Sequence, residues 1–371
     1  MFYLLTALCI VPIVLAVLFR YRLGSGIACW LAGTGLAFAL GFLLLPQPNS
    51  ASAMTGAGCL TLGVVLLVFG AIEFLILRVI GMFRLGALTR ITYYEALRQP
   101  FTLILLIVGA VAILMLAFMP FFTISEDNKM YRDVAVSLVF LFTLPIMIFA
   151  STKVIDEEIE NRTMLTLMSK PIARWQVVVG KYLGVLLLCL AAVAALGLVT
   201  GSCAYIRYFD DMVIDYRVAT PAQFAALNLG NFKANIALPP ALLLQFLQVA
   251  TLAAVSVAVS TRYGLVINIT VVVLLYIAAN LARYAGAYHL PQPFDALANV
   301  LAHLLPGLGF LDLNQRLLFG QYTLRGEDPI PGVPSYSQIW QYTSLACVYA
   351  VLYITGVISF GIAAFRNREL S

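Results

Sequence analysis

Charge is scarce in this chain. Of 371 residues, 22 are Lys or Arg and 17 are Asp or Glu, 11% together, against 62% hydrophobic. Soluble domains carry about 25% charged residues, and so thin a polar minority cannot coat the apolar surface of a chain this long. A water-soluble monomer is excluded. Histidine is scarcer still: His289 and His303 are too few for a typical histidine-built metal centre. The six cysteines (Cys9, Cys29, Cys59, Cys189, Cys203, Cys347) lie in or beside apolar runs without a CxxC pair. That argues against a disulfide framework or a zinc site and reads them as small buried hydrophobes. A phosphate loop is missing too: no GxxxxGK precedes Gly180-Lys181, and Tyr182 stands where Ser or Thr would hold Mg²⁺. Nucleotide hydrolysis, where the protein uses it, must come from another chain. The net charge of +5 is spread along the sequence, which concerns membrane topology rather than nucleic acid.

What fills the chain is apolar runs. A helix crossing the hydrocarbon core needs about 20 apolar residues, and nine stretches qualify: roughly 1–19, 27–46, 57–78, 101–122, 134–152, 178–203, 240–261, 264–283 and 338–364. The expected fold is an all-α polytopic membrane protein. The first run has no basic residue before it and is followed by Arg20 and Arg22, so it reads as a span with its N-terminus outside rather than a signal peptide. Threaded from there, 14 basic side chains fall inside and 8 outside, and the C-terminus lies inside. The chain divides at about residue 80. Residues 1–80 form a three-span extension. Residues 81–100 form a connecting segment with Arg84, Arg90 and Arg98 among apolar positions, expected to be an amphipathic helix on the inner surface with its tyrosines at headgroup level. Residues 101–371 form a six-span unit with outer segments at 204–238 and 284–337.

The most informative stretch is cytoplasmic in this threading. Residues 153–171 start with Asp156, Glu157, Glu158 and Glu160 and end with Lys170 before Pro171. Acid first and base last suits a helix macrodipole, and the proline ends the helix. Ile155, Ile159, Thr163 and Leu167 recur every four residues, flanked by Met164 and Met168. The pattern predicts a short amphipathic helix parallel to the membrane; an ordinary charged loop is the plainer alternative.

These residues carry a resemblance. Glu160-x-Arg162-Thr163, Leu167-Met168-Ser169, Pro171-Ile172, Arg174 and Gly180-Lys181 resemble the cytoplasmic coupling segment of type-2 ABC exporter permeases. The subgroup linked to multi-copper enzyme maturation is the most similar. The likeness covers roughly residues 82–371 and implies a six-span permease. It also implies that a second permease chain, homo- or heteromeric, is a partner, as is a separate ATP-binding cassette subunit. ATP and Mg²⁺ would be bound by that subunit, with no cofactor in this chain and no enzyme activity of its own. Docking would fall on Glu158, Glu160, Arg162, Thr163, Met164, Leu167, Met168 and Lys170. The expected location is a cell membrane, a bacterial inner membrane on this likeness. The three leading spans depart from the six-span pattern.

Other polar groups admit plainer roles. Glu73 is the one carboxylate well inside an expected span, a candidate relay by its cost of burial, although Arg78 is near enough in sequence to pair with it. Asn268 and Asn280 read as interhelical hydrogen-bonding groups before they read as a transport site. Gly180 and Gly184 form a GxxxG that reads as a packing contact. Residues 294–320 are apolar but broken by Pro306, Gly307 and Gly309; two short helices in or on the outer leaflet are expected rather than a tenth span. Two other functions compete: a non-transporting anchor of an ATPase-driven machine, and an intramembrane enzyme, for which His303 with Asp295 or Asp312 is the histidine-bearing set.

Overall fold

The computed structural model of the chain describes residues 84–121, 127–160, 174–211, 230–231, 234–285, 305–312 and 334–366. The three leading spans, Glu73, His303 and Asp295 lie outside these residues. Among the described residues the structure is all-helical: α1 Arg84–Arg98, α2 Pro100–Phe118, α3 Asp127–Glu160, α4 Arg174–Asp211, α5 Leu238–Ser260, α6 Leu265–Ala285 and α7 Tyr336–Arg366, with a 3₁₀ turn at Leu308–Leu311. Five of them (α2, α3, α4, α5 and α7) are long and apolar enough to cross a membrane. In α6 the apolar stretch is the shorter Leu265–Leu281; the whole helix has 21 residues, about 31 Å at 1.5 Å per residue. The chain is a multi-pass membrane protein.

Proline starts helices here, as it should where a backbone N–H would have no partner. Pro100 opens α2 after an extended Gln99, and Pro239 and Pro240 sit in the first turn of α5. The hydroxyls inside the spans mostly donate one turn back, as Thr143 does to Val139 O, Thr200 to Leu196 O and Thr343 to Ile339 O. That keeps a polar group satisfied without water.

Contacts between helix ends fix the threading of the six-helix unit. At one end, here the near end, Asn268 in the first turn of α6 meets Ser256 late in α5 and Thr152 late in α3. Arg262, in the turn between α5 and α6, donates to Ala364 O late in α7 at 3.0 and 3.2 Å. At the far end Arg207, late in α4, meets the end of α2. There too Asn128 at the start of α3 donates to Ala204 O, and Tyr336 at the start of α7 to Ile236 O just before α5. Consecutive helices therefore run in opposite directions, and the unit starts and finishes at the near end.

α5 is the most buried of the spanning helices and α7 the least. The large exposed side chains, among them Ile104 and Met115 on α2, Val266 and Leu274 on α6, and Leu352 and Phe360 on α7, are apolar. A surface like this suits lipid, not water.

Three expectations change. α1 is packed against the bundle: Leu88 and Thr92 lie over Gly180 and Gly184 of α4, where an added Cβ would come within 2.9 and 2.5 Å of them. The GxxxG is thus a packing contact, as read from the sequence. Its neighbour Tyr93 is fully buried rather than at headgroup level; Tyr94 stays half-buried with Arg90 over its ring. Second, α3 runs unbroken to Glu160. Asp156, Glu157, Glu158 and Glu160 are therefore the last turns of a spanning helix, not the first turns of a separate one, and the macrodipole argument does not apply to them. Third, the outer segment expected from residue 204 begins as helix, because α4 continues to Asp211.

Candidate functional site

The near end is where the sequence places the coupling residues. Glu158 and Glu160 stand on the last turns of α3; Arg162, Thr163, Met164, Leu167, Met168 and Lys170 lie outside the described residues. What the structure adds is the ground on which that segment is mounted. Ser151 and Thr152 of α3, Ser256 of α5 and Asn268 of α6 come together, each at 0% exposure. Both α3 hydroxyls donate to Ile148 O, at 2.9 and 2.8 Å. Their lone pairs then face the neighbouring helices. Asn268 Nδ2 donates to Thr152 Oγ1 at 2.7 Å and to Ser256 Oγ at 2.8 Å, and Ser256 passes its own proton to Ser151 Oγ at 2.5 Å. The amide nitrogen must be the atom that meets these oxygens, since their protons are already committed. That orientation leaves Asn268 Oδ1 buried without a hydrogen-bond partner among the described residues.

Three helices are thereby tied by neutral groups at a point five residues before Asp156. The tie has no charge and no apolar jigsaw at its centre. Interhelical hydrogen bonds of this kind average about 0.6 kcal/mol in a membrane, so the joint is well defined in geometry yet weak in energy. Asn268 is the interhelical group expected from the sequence. Asn280 donates one turn back to Tyr276 O at 2.9 Å.

The far end is held differently. Arg207, 5% exposed, donates to Leu116 O and Ala117 O at 3.1 Å and to Met119 O at 2.7 Å. Its guanidinium lies over the rings of Phe121 and Tyr131 and 3.9 Å from Asp127 Oδ2. A cation on the last carbonyls of α2 adds to the one bond that Leu116 O receives from Met119 N–H and sits at the negative end of the helix dipole. Arg132, 3% exposed, donates to Asn128 O and Ala234 O. Close by, the turn at Leu308–Leu311 is fixed against α7: Gly307 N–H donates to Tyr349 Oη and Tyr342 Oη–H to Phe310 O. Tyr349 lies 13 residues below the start of α7, about 20 Å along it, so this stretch reaches well down the helix. Among the described residues no group of three or more His, Cys, Asp or Glu side chains comes together.

Sequence reasoning counted Arg207 with the outer loop and gave Ser151, Thr152 and Ser256 no role. The signal for Arg207 was its place at the end of a long apolar run, flanked by Ile206 and Tyr208. The hydroxyls gave none, since Ser and Thr are common in such helices.

Residues 112–370 match the family model described as ABC-2 family transporter protein. The match runs from within α2 to beyond α7 and includes both ends described above. No curated protein matches the chain.

Proposed function

Because the chain belongs to the ABC-2 transporter family and is thereby a permease component of an ABC transporter with an ATP-binding partner, we propose that it couples ATP hydrolysis by that partner to export. The observation that carries the reading is the course of α3. It crosses the membrane, passes Lys153 and continues as one helix to Glu160, so a load applied to residues 155–170 enters a spanning helix directly. The near end is then cytoplasmic and the far end outside. ATP-driven closure pushes the segment, α3 moves, and access shifts from inside to outside. A second permease chain completes the pathway in a cell membrane, a bacterial inner membrane. ATP and Mg²⁺ stay with the partner, and this chain performs no catalysis.

Leu167 and Met168 supply apolar anchors in the partner's groove, with Glu158, Glu160, Arg162 and Lys170 pairing around them, and Thr163 and Met164 belong to the same docking set. Buried anchors of this kind are worth about 2 kcal/mol or more, and rim charges little. The test is co-purification of the ATP-binding subunit together with permease-stimulated ATP turnover. Leu167→Asp should abolish both while the permease still inserts, and Glu157→Ala should leave both nearly intact. Wild-type association and turnover in Leu167→Asp would refute the assignment.

A further inference from the structure

We infer that the buried cluster of Ser151, Thr152, Ser256 and Asn268 is a releasable joint that holds α3 to α5 and α6 in the resting permease and opens during each ATP-driven cycle, with Asn268 as its positioning residue. The inference rests on the coupling role of α3 proposed above and assigns the place where its movement is passed on.

Four observations carry it. On α3 the cluster lies at the very end of the span, next to the acidic turns that lead to the coupling segment. It links that helix to α6 through Asn268 and to α5 both through Asn268 and through the Ser151–Ser256 contact. Its members are uncharged, so separating them exposes no orphaned charge, unlike the arginine contacts of the far end. Finally, Asn268 Oδ1 is buried and unpartnered among the described residues. A buried acceptor left empty is costly, and a half-satisfied network is the kind that gains by rearranging. When α3 is displaced from α6, a χ1 rotation of Thr152 turns its hydroxyl away from Ile148 O, an acceptor of its own helix, and lets it donate to Oδ1 instead. Packed interfaces switch between discrete arrangements rather than deforming smoothly, and this one has a second set of bonds available from its own atoms.

The Ser151–Ser256 contact supplies the test. The two hydroxyls are in direct contact, so Ser151→Cys with Ser256→Cys, in a background with the six native cysteines replaced, should cross-link under mild oxidation. The complex with its ATP-binding subunit is reconstituted in lipid and its ATP turnover followed. Oxidation should lower permease-stimulated turnover by about tenfold or more, a coupling of ordinary size, and dithiothreitol should restore it in the same sample. Recovery on reduction separates arrest from misfolding. Asn268→Leu should act in the opposite sense, raising resting turnover by roughly fivefold through loss of two interhelical bonds. Failure to cross-link, unchanged turnover in the cross-linked complex, or a fall in turnover with Asn268→Leu would each overturn the joint. A wild-type permease that retains no ATP-binding subunit on purification overturns the coupling role as well, and shows it before any oxidant is added.

Discussion

The buried side-chain clusters at the two ends of the bundle differ in chemistry. At the far end buried guanidinium groups donate to backbone carbonyls: Arg207 to three at the end of α2, Arg132 to Asn128 O and Ala234 O. At the near end the buried tie is of hydroxyls and one amide, without a formal charge in the cluster, and the guanidinium there, Arg262, meets Ala364 O at the exposed surface. A charge-assisted bond is about twice as strong as a neutral one, and removing one partner of a buried charge leaves a penalty of several kcal/mol. One end is therefore built to stay closed. The other is built from contacts that can be exchanged at small cost, and it is the end from which α3 carries on toward the coupling residues. Strength and position agree: movement enters where the bonds are cheap.

Replacing Arg207 should have the largest effect. Arg207→Ala leaves Ala117 O and Met119 O without the guanidinium donor, leaves Leu116 O with the Met119 N–H alone, and empties the space between Phe121 and Tyr131, which predicts a loss of about 3–5 kcal/mol. Arg207→Lys should recover part of it, since one ammonium cannot reproduce the planar fork that reaches three carbonyls. Reversible unfolding in mixed detergent micelles measures both. A loss below about 1 kcal/mol would erase the contrast between the ends.

Gly184 should come next, and it probes whether close helix approach rather than hydrogen bonding holds the near end. An added Cβ would lie 2.5 Å from Thr92 Cβ and 3.0 Å from Thr89 O, and the second of these is backbone. Gly184→Val therefore has to part α1 from α4, at about 1–3 kcal/mol. Gly356 of α7, where nothing lies within 4 Å, is the control: Gly356→Ala should be neutral or gain up to about 1 kcal/mol of helix propensity. Equal losses at the two glycines would mean that the α1–α4 contact contributes nothing.

The spans were legible in the sequence because lipid imposes one rule, about 20 apolar residues per crossing, and runs such as 240–261 obey it without ambiguity. The GxxxG at Gly180 and Gly184 was legible for a similar reason: two missing side chains on one helix face make a groove. Helix ends were less legible. The acids from Asp156 to Glu160 look like the start of a helix by charge pattern, yet α3 passes through them because nothing from Asp127 onward breaks it; even Pro145 is accommodated inside the helix. Tyr93 was misplaced because a tyrosine at an interface and a tyrosine buried under a second helix have the same sequence neighbours. The near-end joint was half legible. Asn268 stood out as an amide in an apolar run, but its partners are single hydroxyls 116 and 12 residues away, and no local pattern records such distances.

Ser256→Ala should have the smallest effect, and it sets the contrast most sharply. The change deletes one oxygen that receives a bond from Asn268 and gives one to Ser151. Asn268 keeps its bond to Thr152, Ser151 keeps Ile148 O, and the methyl of alanine occupies nearly the volume the hydroxymethyl group left. Only one amide hydrogen is left without an acceptor, so stability should fall by about 0.6 kcal/mol, and by no more than about 1.7, the range of single interhelical bonds measured in membranes. The same substitution should nevertheless raise resting ATP turnover in the assembled complex, because it weakens the state in which α3 is held. A small stability change with a clear change in turnover is what an exchangeable joint produces. A loss as large as that of Arg207→Ala would make the near end as rigid as the far one, and the division of labour between them would have to be abandoned.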